Sequence, residues 1–157
     1  MRQTAIVVLS LLTCSTCLAA LPVAPANANG VNVVYSPESG DLLIDSTAGP
    51  ITTLELKSDS GYFTAGPHAA LNGLFDVNTQ TKIFKLDPAG FSTLSLEGAL
   101  QTGLSFTELG ADLSIDGSYE SGGGLASDGR ATVLVPEPAS VGFSLAAISC
   151  LLFLRRK

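Results

Sequence analysis

The chain has 157 residues, a formal net charge of −6, and 46% hydrophobic residues, with three Cys, one His and no Trp. That balance excludes a basic nucleic-acid-binding surface and any metal or catalytic centre built from several imidazoles. It admits one domain of modest size, because the longest apolar runs lie at the two ends of the chain.

At the N-terminus Arg2 supplies a positive charge, and Ala5 to Leu18 is apolar apart from Ser10, Thr13, Ser15 and Thr16. Ala26-Asn27-Ala28 then offers a small-x-small cleavage site at Ala26 and Ala28, so residues 1–28 read as a secretory signal peptide. Leu18-Ala19-Ala20 is a second, less well matched site. Thr13 and Thr16 stand before Cys14 and Cys17 where a lipid-attachment signal needs a small residue, and the absence of a twin-Arg pair points to the general secretion machinery. With Cys14 and Cys17 in the leader and Cys150 in the C-terminal apolar run, residues 29–135 contain no Cys. Disulfides, thiolate metal sites and a thiol nucleophile are thereby excluded from the exported domain. That domain carries thirteen acidic residues against Lys57, Lys82, Lys85 and Arg130, a surface that repels nucleic acid and anionic membranes.

Within the domain no long 3.6-residue apolar period occurs. Short alternating segments recur instead, separated by turn residues. Val31, Val33 and Tyr35 open the series, followed by Leu42 with Ile44 and Leu54 with Leu56. Tyr62-Phe63-Thr64, Phe84 with Leu86, Leu94 with Leu96, Leu104 with Phe106, and Leu113 with Ile115 continue it. Thr132-Val133-Leu134-Val135 closes it. Ser92 to Gln101 is compatible with a short helix, but Gly98 and the Ser/Thr content favour a strand. Eight or nine strands at this spacing predict an all-β fold, a small antiparallel β-sandwich of cohesin-like or jelly-roll-like form. Ser121-Gly122-Gly123-Gly124 reads as a flexible hairpin tip, since no helix with a Lys follows it.

Catalytic constellations are scarce. His68, beside Pro67, is the sole imidazole, and no Gly-x-Ser-x-Gly surrounds a serine in the domain, so a serine triad has no support. Asp112, Ser114 and Asp116, followed by Gly117, match the opening of a calcium loop and are the metal-ligand candidates. The acid that should close such a loop at its twelfth position is replaced by Gly123. The competing reading places Leu113 and Ile115 in the core, Asp112, Ser114 and Asp116 in water, and a hairpin turn at Asp116-Gly117. Asp76-Val77-Asn78 with Thr79 is a thinner candidate of the same kind. Calcium is thus the one ion the sequence suggests, and no other cofactor is expected. Paired carboxylates for glycoside hydrolysis are a three-dimensional matter. With no Trp, core packing accounts best for the aromatics, and Tyr62 and Tyr119, near turns, are the two to test for stacking on sugar rings.

The C-terminal twenty-two residues are the most specific part of the chain. Val135 precedes Pro136-Glu137-Pro138. Residues 139–154 carry no charged or amide side chain, and Arg155-Arg156-Lys157 follow. Sixteen residues of helix rise roughly 24 Å against a hydrocarbon core of roughly 30 Å. The terminal cations suit the cytoplasmic membrane face and can snorkel to extend so short a span. The two prolines keep the helix from running back into the domain.

In order and composition, Val135-Pro136-Glu137-Pro138-Ala139-Ser140, the apolar run and the basic end resemble the PEP-CTERM sorting signal of Gram-negative-type bacteria. The resemblance covers about the last twenty-two residues. It implies recognition by an exosortase, an integral-membrane cysteine transpeptidase-like enzyme, with transient anchoring in the inner membrane and delivery to the cell surface or exopolysaccharide matrix. The domains expected are therefore a signal peptide (1–28), an exported sandwich (29–135) and a sorting signal (136–157). The function expected is that of a non-enzymatic surface or matrix protein. The alternatives are a carbohydrate- or calcium-binding adhesin module and a small carboxylate-based hydrolase.

Overall fold

The structure, a computed structural model, describes residues 21–125 and 132–136. These form β1 (Val31–Tyr35), β2 (Leu42–Ser46), β3 (Ile51–Ser58), β4 (Val77–Asn78), β5 (Lys82–Phe91), β6 (Thr93–Leu96), α1 (Phe106–Asp112), β7 (Leu113–Tyr119) and β8 (Thr132–Pro136). They build two four-stranded sheets, ordered β6-β2-β1-β8 and β4-β5-β3-β7.

Alternation along the strands explains why the two sheets stack. Val31, Val33 and Tyr35 on β1, Leu42 and Ile44 on β2, and Leu94 and Leu96 on β6 point to one side of the first sheet. Leu54 and Leu56 on β3, Ile83 on β5, and Leu113 and Tyr119 on β7 do the same on the second. All twelve belong to one buried cluster. The all-β, two-sheet architecture is as the alternating pattern predicts.

Several details differ from, or add to, the sequence reading. The sandwich is not wholly antiparallel, because β8 runs parallel to β1 with Val33 opposite Leu134 and Tyr35 opposite Pro136. A parallel neighbour requires a long crossover, and here nearly the whole domain serves as that connection. Leu104 and Phe106 do not lie in a strand. Ser105 caps α1, accepting from the Glu108 N–H at 3.2 Å while the Glu108 carboxylate accepts from the Ser105 N–H at 3.2 Å. This Ser-x-x-Glu capping box satisfies two orphan donors, and Phe106 then packs edge-on against Tyr35, the ring centroids 5.9 Å apart. Finally, residues 21–28, read above as the end of the leader, take part in the fold: Leu21 is buried and Val23 bridges Leu134 in parallel.

The Asp116-Gly117 turn is also absent. Gly117 lies inside β7, opposite Leu54, beside a register shift between Ile51 and Thr53. Its φ is 148°, and a Cβ there would run into the Thr53 carbonyl oxygen. Glycine at this position serves close strand approach at an irregularity, a use that in sequence is hard to distinguish from a turn. Gly117→Ala is expected to cost about 3 kcal/mol in a denaturant titration, the upper range for overpacking. Gly122→Ala, where nothing lies within 4 Å of the added atom, should cost about 1 kcal/mol of backbone strain. Equal losses for the two would refute the close-approach explanation.

Candidate functional site

The outward face of the second sheet carries a grouping of polar side chains that three strands bring together. Register fixes it. Glu55 on β3 stands opposite Phe84 on β5 and Asp116 on β7, Thr53 stands opposite Leu86 and Ser118, and Lys57 stands opposite Lys82 and Ser114. Thr53, Glu55, Phe84, Asp116, Gly117 and Ser118 line a shallow depression of about 280 Å³. The missing side chain of Gly117 contributes to that hollow. Thr53 Oγ1 and Ser118 Oγ share a hydrogen bond of 2.6 Å across its floor.

Like charges directly opposite one another destabilise a sheet, and Glu55 faces Asp116. Two lysines offset this: Lys57 Nζ lies 2.9 Å and Lys82 Nζ 3.0 Å from Glu55 Oε1. Their hydrogen bonds, first from Lys57 and then from Lys82, hold the Glu55 carboxyl below its ordinary value of 4.5. Lys82 Nζ also sits 5.3 Å from the Phe84 ring centroid, within cation–π range. Glu55 is therefore an ionised hydrogen-bond acceptor, the opposite of a general acid, which needs a raised pKa. The arrangement sets hydroxyls, ammonium groups and an ionised carboxylate side by side on one face.

The calcium-loop candidates are spread out. Asp112 ends α1, and its carboxylate is engaged by the Ser58 hydroxyl and, at 2.7 Å, by the Ser60 N–H. Ser114 and Asp116 lie along extended β7, where residues two apart are separated by roughly 6.7 Å, and Asp116 Oδ1 accepts from the Gly117 N–H at 2.7 Å. Among the described residues no group of three or more His, Cys, Asp or Glu side chains is placed to hold a metal ion. His68 takes a structural part: Nδ1 accepts from the Ala70 N–H at 3.2 Å, which leaves Nε2, 3.3 Å from the Glu97 carbonyl, as the protonated nitrogen. Tyr119 is buried in the core and Tyr62 is half-buried against it, so Tyr119 cannot offer a stacking face.

Of the tail, Val135 and Pro136 end β8, while Glu137, Pro138, the apolar run 139–154 and Arg155, Arg156 and Lys157 lie outside the described residues. Pro136, which has no N–H to donate, is the last described partner of β1, opposite Tyr35. Ala26 and Ala28 are exposed. Among the described residues no helix is long and apolar enough to cross a membrane.

No protein-family model, curated protein or solved structure matches this chain. The site accordingly rests on geometry.

Sequence reasoning missed one polar anchor. By sequence, Asp76 offers itself as a metal ligand. Its carboxylate instead accepts from the Gly73 N–H at 2.9 Å and the Leu86 N–H at 3.0 Å, and it lies 3.5 Å from Lys85 Nζ. The carboxylate is 1% exposed and the ammonium 12%, and Lys85 also donates to the Ala70 carbonyl at 3.2 Å. The segment between Ala70 and Asp76 is thereby tied to β5. Burial pushes the Asp76 carboxyl up, but the Leu86 and Gly73 N–H groups and the Lys85 charge outweigh it and hold it below 3.8.

A carboxylate depressed in the folded state stabilises fully above its unfolded pKa and loses that contribution as pH falls through the folded value. Stability should therefore decline below about pH 4. Asp76→Ala, which strands Lys85, should cost about 3–5 kcal/mol at neutral pH and flatten that acid limb. An unchanged unfolding midpoint at pH 7 would show that the pair does not hold the loop.

Proposed function

We propose that this chain is an exported, non-enzymatic surface or matrix protein. In this reading the sandwich is the cargo, residues 136–157 are its sorting signal, and an exosortase is its processing enzyme. The observation that carries the proposal is the order Pro-Glu-Pro, apolar run and basic cluster in the last twenty-two residues. The pairing of Pro136 with Tyr35 lends support, because it starts the motif on the last strand of the folded domain, with no linker before it. The 139–154 run would anchor the precursor in the inner membrane until it is processed. A cohesin-like or jelly-roll-like sandwich, eight strands in two sheets with one parallel neighbour, is the scaffold we ascribe to it.

Replacing Pro136-Glu137-Pro138 by alanines in the native host should leave the protein in the inner membrane, uncut, when cells are fractionated. Processing and surface delivery at the wild-type level would sink the exosortase reading.

A second reading, a glycan-binding module, is favoured by the depression around Glu55. Its hydroxyls, the ionised Glu55 carboxylate and the Phe84 ring are groups that recognise sugars. Retention on an exopolysaccharide column should then drop at least tenfold in Glu55→Gln and in Phe84→Ala, with the unfolding midpoint of Glu55→Gln little changed. Equal retention of wild type and variants, with or without millimolar calcium, would remove this reading.

A further inference from the structure

We propose that the leader is cut before Leu21, at Leu18-Ala19-Ala20, and that residues 21–28 remain in the exported protein as an integral part of the sandwich. The proposal rests on reading the N-terminus as an export leader. It concerns which of two available sites is used.

Residues 21–24 form a further strand-like segment beside β8. The Leu21 N–H donates to the Leu113 carbonyl at 3.1 Å, the Leu134 N–H donates to the Pro22 carbonyl at 2.8 Å, and the Ala24 N–H donates to the Leu134 carbonyl at 3.1 Å. Val23 and Leu134 form a parallel bridge. Leu21 is 2% exposed and shares the buried cluster with Leu109, Leu113 and Leu134. The next residues are tied down too. The Asn27 N–H donates to Asn32 Oδ1 at 2.7 Å, and the Asn27 carbonyl accepts from Asn32 Nδ2 at 3.0 Å and from Thr47 Oγ1 at 2.9 Å.

A cut after Ala28 would remove all of this. The amide of Asn32, only 3% exposed, would lose both partners, a penalty that falls on the buried group left behind. Both backbone groups of Leu134 would be unpaired, and β8 would become an open edge. A cut before Leu21 removes none of it.

Gly110 gives independent support. A Cβ on this residue of α1 would lie 2.8 Å from Val23 Cγ2 and 2.9 Å from the Leu21 carbonyl oxygen, its next neighbour being Leu134 Cδ2 at 3.8 Å. Glycine inside a helix is unfavourable relative to alanine. Here the close passage of residues 21–23 over the helix gives it a reason. The leader sequence is consistent with the earlier cut: the apolar stretch Ala5–Leu12 is followed by Thr13-Cys14-Ser15-Thr16-Cys17, and a twenty-residue leader lies within the usual range of about 15–30.

The test is N-terminal sequencing and intact mass of the full chain, expressed with its own leader in a Gram-negative host. The expected mature chain begins at Leu21. Ala28→Lys should leave that terminus and its yield unchanged, whereas Ala20→Lys should abolish it. A mature chain beginning at Asn29 overturns the proposal while leaving export intact. A chain that keeps residues 1–20 overturns the export reading and the proposal together. As a second measurement on the exported protein, Gly110→Ala should lower Tm by about 5 °C or more, despite the better helix propensity of alanine. An unchanged or higher Tm would mean that residues 21–23 do not cover α1, and would overturn the proposal.

Discussion

The placement of β8 between two N-terminal segments is the constraint from which the rest of the structure follows. Without β8, the first sheet would end at β1, and the aliphatic side chains of Leu134 and Leu21 would have no buried site. With β8 in place, Val31 to Tyr35 pair with Thr132 to Pro136 on one side, and Pro22 to Ala24 bond Leu134 on the other. The two ends of the folded unit thus meet at one edge. Non-local pairing of this kind closes a loop of nearly the whole domain, so its entropic cost is met late, once the sheets have stacked.

That stacking relies on aliphatic packing, with neither Trp nor a disulfide to reinforce it. Leu42, Ile44, Ile51, Leu54, Leu56, Ile83 and Leu96 are fully buried, each such side chain contributing about 1.5–3 kcal/mol relative to exposure. Few polar side chains enter this interior, and Tyr35 among them has a defined task. The Tyr35 hydroxyl donates to the Gln101 carbonyl at 2.8 Å and accepts from the Leu104 N–H at 3.2 Å, pinning the approach to α1 onto β1. Burial raises the Tyr35 pKa, only partly opposed by the Leu104 hydrogen bond, so the phenol stays neutral and remains able to donate.

Much of the fold was legible because a two-residue period survives in the sequence wherever one face is buried. β1, β2, β6 and the inward set on β3 could be read directly. What escaped was long-range. Nothing local to Thr132–Val135 indicates a parallel neighbour, and the capping pair Ser105 and Glu108 was passed over because Leu104 and Phe106 alternate as a strand would. Asp116-Gly117 has the composition of a hairpin turn, yet its glycine answers to the Thr53 carbonyl on another strand. The polar face around Glu55 was equally hidden, since its members come from three strands and only register unites them. Asp76 looked like a ligand for want of Lys85, its partner on β5.

Both termini lying at one edge also bears on how a tethered protein would carry load. On the proposed reading, the chain is held through the residues that follow β8. A force applied parallel to the strand would load the hydrogen bonds to β1 and to residues 22–24 in shear, together rather than one at a time. The segment 21–24 therefore completes the core and adds two hydrogen bonds, both to Leu134, on the side of β8 away from β1. A leader ending at Ala28 would discard these bonds and leave one side of β8 open. Retaining residues 21–28 keeps β8 bonded on both sides, beside the segment through which the chain would be held.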